Sequence, residues 1–144
     1  MKKQPKAAFT PNPQKRPAFA VDPSHYHRLA PSWRIGRMEM VEPFGWHVVD
    51  GEKLRDIQTK LGNFESMTWG EILNGSQHHL VPMDRLCSKA WARLNELGQN
   101  DLESLLSIRL SGKERVWGIL AEGVCTLIWW DPEHEICPSM LRYT

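Results

Sequence analysis

Leu106-Ser107-Ile108-Arg109-Leu110-Ser111-Gly112-Lys113-Glu114-Arg115-Val116-Trp117-Gly118-Ile119-Leu120-Ala121-Glu122-Gly123-Val124-Cys125-Thr126-Leu127-Ile128-Trp129-Trp130-Asp131-Pro132 decides the fold class. Leu106, Ile108 and Leu110 alternate with Ser107, Arg109 and Ser111, which is the period of a strand with one face buried. Gly112 marks a turn, Arg115 to Leu120 form the next strand, and Ala121-Glu122-Gly123 form a second turn. Val124 to Trp130 is apolar on both faces, and Asp131-Pro132 ends it because proline has no N–H to give to a ladder. The stretch therefore predicts an antiparallel meander, with Ile136-Cys137 able to return as a short edge. Trp129 and Trp130 are adjacent in a strand, so they must point to opposite faces. One of them needs cover on a second face, from the N-terminal segment, a partner or stacked bases.

Upstream the period is helical. Asp50 can cap a helix carrying Leu54, Ile57 and Leu61 on one face and stopping at Gly62. Thr68-Trp69-Gly70-Glu71 fits a capping box ahead of Ile72 and Leu73, closed by Asn74-Gly75. Pro82 suits the first turn of a third helix with Leu86, Ala90, Trp91, Leu94 and Leu97 as its stripe, ending at Gly98, and Asp101 can cap one further turn through Leu105. One or two strands fit Trp33 to Val41 and Trp46 to Val49, separated by Pro43 and Gly45. The expected fold is α+β, with three helices packed on one face of a mainly antiparallel sheet.

Six of the ten prolines lie at positions 5, 11, 13, 17, 23 and 31, and Lys2, Lys3, Lys6, Lys15 and Arg16 meet no acidic residue before Val21. Such a segment buries too little to offset its ordering entropy, so residues 1–30 are expected to be a disordered basic arm and 31–144 a single domain. The arm could tether the domain electrostatically to nucleic acid or a membrane surface. Overall, 18 basic residues against 17 acidic ones in 144 give no bulk attraction to polyanions. No apolar run is long enough to span a bilayer, no apolar segment follows the basic start as a signal peptide would require, and Cys87, Cys125 and Cys137 form no C-x-x-C pair. A cytoplasmic location with reduced thiols is expected.

Nucleotide-binding glycine loops and a G-x-S-x-G elbow are absent. His25, His27, His47, His78, His79 and His134 show no zinc-ligand spacing, so neither a metal nor a cofactor is expected. The cluster that could carry chemistry is Arg109, Lys113, Glu114 and Arg115 at the first hairpin, then Asp131-Pro132-Glu133-His134-Glu135, then Arg142 and Tyr143. RNA cleavage without a metal needs a base for the 2′-hydroxyl, cations for the phosphoryl oxygens and an acid for the leaving oxygen, and all three residue types are here. The plainer alternative is a charged, solvated hairpin tip.

The order of strand, helices and an Arg- and Lys-bearing meander with a basic, aromatic tail resembles the RelE/ParE toxin superfamily of bacterial toxin–antitoxin systems, over about residues 46 to 144. The stretch Leu106 to Ile119 carries the likeness. The resemblance implies cleavage of messenger RNA on the ribosome and silencing by a cognate antitoxin. It makes Lys113 and Arg115 phosphate-binding and charge-stabilising groups, together with Arg109 and Arg142, and His134 or Tyr143 the acid or base. The near-neutral charge, the long arm and the acidic run at 131–135 depart from that family, whose members also include inhibitors of DNA gyrase. A non-catalytic protein-interaction module on the same fold is the alternative. No particular oligomeric state is implied.

Overall fold

A computed structural model describes residues 25–138. Its elements are β1 (Ser32–Arg34), α1 (Gly51–Phe64), α2 (Trp69–Asn74), β2 (His79–Pro82), α3 (Ser88–Glu96), β3 (Ser104–Arg109), β4 (Arg115–Ala121) and β5 (Val124–Asp131). The strands form one five-stranded sheet in the order β1-β5-β4-β3-β2. The β2–β3, β3–β4 and β4–β5 pairs are antiparallel, as the meander requires, and β1 lies parallel to β5, so the α+β domain has a mixed sheet.

The caps form as their chemistry dictates. The Asp50 side chain accepts from Lys53 N, and Thr68 and Glu71 close a complete capping box. Other expectations are corrected. Trp46–Val48 is a 3₁₀ turn rather than a strand, and the strand expected at Trp33 is only three residues long. Pro82 closes edge strand β2, where a missing N–H costs nothing, and a 3₁₀ turn at Met83–Arg85 delays α3 until Cys87. Asp101 starts no helical turn because the chain is already extended at Ser104. Ile136 and Cys137 form no edge strand; Ile136 is buried and its carbonyl accepts from Cys87 N at 2.7 Å.

The helices do not share one face. Ile57, Leu61, Trp69 and Ile72 of α1 and α2 pack with Leu106, Ile108, Val116 and Trp130. Ala90 and Leu94 of α3 pack with Leu105, Trp117 and Trp129 on the other side. Because β4 and β5 are largely apolar on both sides and Leu105 and Ser107 of β3 are buried as well, the sheet has to be covered twice, and α3 supplies the second cover from within the domain. Trp129 and Trp130 are thus divided between the two cores, as alternation requires.

Residues 25–30, expected in the arm, are among the described residues and contact the domain. His25–Arg28 is a 3₁₀ turn, and Leu29 O accepts from Trp69 N at 2.9 Å. The rest of the proposed arm, residues 1–24, lies outside the described residues.

A bulge governs β5. Trp117 pairs with Trp129 but Gly118 with Leu127, leaving Ile128 as the extra residue. Its carbonyl accepts instead from Glu39 N at 2.9 Å and Trp46 Nε1 at 3.1 Å, while Trp130 N donates to Phe44 O at 3.0 Å. The segment 39–46 thereby covers the β5 edge beyond the three residues paired with β1. It is fastened to α3 by Glu39, which takes both a 2.6 Å and a 3.0 Å bond from Arg93. That pairing with Arg93 holds the Glu39 carboxyl below its ordinary pKa.

Gly118 faces the bulge closely: a Cβ there would meet Thr126 O at 2.6 Å and Cys125 Sγ at 2.7 Å. We expect Gly118→Ala to lower stability by about 2 kcal/mol in urea unfolding, since neither backbone nor buried thiol can move away freely.

Candidate functional site

Register answers the question of which basic residues meet. Arg109 of β3 lies opposite Arg115 of β4, and Arg115 lies opposite Asp131 of β5, forming one row across the end of the sheet. Residues in such a row share a face, so the two arginines are brought together across the hairpin turn.

They are not equivalent. Arg109 is exposed and its Nε donates to Ser111 O at 3.2 Å. Arg115 is buried, and its Nη1 donates to Ser111 O, Gly112 O and Glu114 O at 2.9, 3.1 and 3.1 Å. Burial and the Arg109 charge pull the Arg115 pKa down against the opposing pull of Asp131. Arg115 therefore organises the turn with its guanidinium while adding positive charge to the row.

Lys113 at the tip is exposed and pairs with Glu133 at 3.2 Å. The acidic run after β5 is thus partly neutralised where it lies. Asp131 is fully buried: one carboxylate oxygen accepts from Trp117 Nε1 at 3.2 Å and Ile136 N at 3.0 Å, the other from Glu135 N at 2.8 Å. Those bonds shape the turn that presents His134, whose φ of 58° puts it in the left-handed region. His134 is half-buried, and burial followed by the Arg115 charge lowers its pKa. That lowering favours the uncharged imidazole over the imidazolium form. Arg142 and Tyr143 lie outside the described residues.

A second histidine, named in the sequence only among those without zinc-ligand spacing, reaches this end of the sheet. His78 precedes β2, and its Nδ1 accepts from Arg109 N at 3.1 Å. Burial, then the charges of His79, Arg115 and Arg109, push its pKa down to about 4. Nothing in its local sequence signals this, because the β2–β3 register brings it to the Arg109 backbone from 31 residues away.

Lysines of α1 complete the setting: Lys53 pairs with Glu114 at 2.6 Å, and Lys60 Nζ donates to Leu110 O at 3.0 Å. They bind the hairpin tip to α1. Next to them Phe64 packs edge-on against His78, with ring centres 5.0 Å apart, on a groove of about 290 Å³ that also borders Arg109.

Among the described residues, no group of three or more His, Cys, Asp or Glu is placed to hold a metal, and no helix is long and apolar enough to cross a membrane. The three cysteines are free, and burial pushes the Cys125 thiol up to about 12. No protein-family model, curated protein or solved structure matches this chain.

Two outcomes test this arrangement. Asp131→Ala strands three donors in a buried setting and should cost about 3 kcal/mol of stability by chemical unfolding. For His78, the folded pKa of about 4 lies below the ordinary 6.5, so the unfolded chain binds more protons between those values. Its contribution is fully present above pH 6.5 and is lost as pH falls towards 4. Melting temperature should therefore drop over that range, less steeply in His78→Asn.

Proposed function

We propose that this protein is a toxin-like, RelE/ParE-related component of a bacterial toxin–antitoxin system, acting in the cytoplasm as a metal-independent endoribonuclease on messenger RNA. The observation that carries this reading is the Arg109–Arg115–Asp131 row, which sets two guanidinium groups at one end of the sheet, with His134 in the turn that follows Asp131 and His78 bonded to the Arg109 N–H. Arg109, exposed and cationic, binds the phosphoryl oxygens and stabilises the charge that grows there as the 2′-oxygen attacks phosphorus. His134 takes the 2′-hydroxyl proton. Tyr143 supplies a proton to the departing 5′-oxygen, and Arg142 and Lys113 add phosphate contacts. Arg115, engaged with three turn carbonyls, positions the hairpin and adds to the local field. The products are a 2′,3′-cyclic phosphate and a free 5′-hydroxyl, so atoms balance without water or an oxidant.

A non-catalytic protein-interaction module is the second reading, favoured by one feature: Ile35, Met40, Val41 and Val48 are 68, 54, 50 and 59 % exposed along one segment. Large exposed apolar side chains suit a protein partner such as an antitoxin.

Adding the purified protein to a translating bacterial extract and mapping new messenger RNA ends separates the two. Cuts placed by codon position are expected, reduced at least a hundredfold in Arg109→Ala and in His134→Ala with both variants still folded. Intact messages and unhindered translation would leave the interaction module as the working description.

A further inference from the structure

We infer that the groove between the C-terminal end of α1 and the β3–β4 hairpin is a nucleobase subsite: an unpaired RNA base lies against Phe64 and Met67, its edge is read by His78 and Gln77, and Lys60 holds an adjoining phosphate. This rests on the ribonuclease reading above and adds a recognition site to it.

The groove has the size and composition for the task. Its volume of about 290 Å³ is near the lower end for small-molecule pockets, roughly 300–1,000 Å³. Phe64, Met67 and Leu110 give it apolar walls, and Gln77, His78 and Arg109 line it with polar groups. Sequence-selective recognition of single-stranded RNA combines these two elements, an aromatic or apolar surface for the base plane and polar groups for its edge. The Phe64 ring stands nearly perpendicular to the His78 imidazole, at 89°, so the two present different surfaces to whatever enters.

His78 is preset for reading. Its Nδ1 is occupied by the Arg109 N–H at 3.1 Å, and a neutral imidazole bonded in that way carries its proton on Nε2. The free edge of the ring is therefore a hydrogen-bond donor, with the tautomer fixed by the backbone of β3. Gln77 is exposed beside it and offers both a donor and an acceptor. A cation completes the match with a nucleotide, because Lys60 of α1 lines the groove, where its Nζ donates to Leu110 O at 3.0 Å.

The test uses the full chain and the four homopolymeric 2′-O-methyl RNA hexamers, which lack the nucleophilic hydroxyl and are not cut, with affinity read by fluorescence anisotropy. One hexamer should bind at least about tenfold more tightly than the weakest. Gln77→Ala, at an exposed position, and His78→Asn should each shrink that preference to within about threefold while salt-sensitive binding persists. Equal affinity for all four hexamers, or a preference unchanged in both variants, overturns the subsite and leaves the ribonuclease reading standing. If no hexamer binds, the His78 Cε1–H resonance is followed on adding each of the four nucleoside 5′-monophosphates. A saturable shift that is lost in Phe64→Ala supports the subsite and counts against the ribonuclease reading. No shift overturns the subsite.

Discussion

A strand that is apolar on both faces and open on both edges cannot exist without four kinds of cover, and β5 imposes that constraint on the rest of the chain. β4 and β1 pair with its edges, α1 and α2 cover one face, and α3 covers the other. Where β1 ends, the bulge at Ile128 turns a carbonyl out of the ladder, and the backbone of Glu39 and the indole of Trp46 satisfy it. A buried carbonyl left unpaired would cost about 1–3 kcal/mol, so the irregular segment 39–46 is as much a part of the sheet's stability as its regular strands. The Glu39–Arg93 pair then transmits that fastening to α3.

The same strand ends in Asp131, where structure and chemistry meet. A fully buried carboxylate is tolerated because three donors converge on it, one an indole and two from the following turn. Its negative charge offsets part of the repulsion created by setting Arg115 opposite Arg109. Two like charges facing each other across a hairpin are unfavourable, and the turn carbonyls that accept from Arg115 supply further compensation. Two guanidinium groups thus meet at one sheet end, among acidic neighbours, in a chain whose formal net charge is only +1. The lowered pKa of His78 and of His134 follows from the same cause, since burial and nearby guanidinium groups both disfavour the imidazolium form.

Local chemistry was legible wherever the cause lay within a few residues. Asp50 and Thr68 cap their helices through bonds to the third residue onward, and Gly112 and Gly123 sit in the turns that separate the meander strands. Pro82 misled because its fixed φ serves a helix start and the end of an edge strand equally well; the choice was made by pairing with Ser104, far along the chain. Trp46 and its neighbours read as a strand by composition, yet the bulged Ile128 carbonyl holds Trp46 in a 3₁₀ turn.

By itself the sequence determined the α+β class, the capped helices, the three-stranded meander and the division of Trp129 and Trp130 between two faces, because each depends on short-range periodicity or a side chain reaching its own backbone. Only the tertiary structure decided that α3 lies on the face opposite α1 and α2, that β1 runs parallel to β5, and that His78 accepts from the Arg109 N–H. These depend on register between strands distant in the chain. Register is chosen by the joint burial of all the strands at once, and no local pattern records that choice.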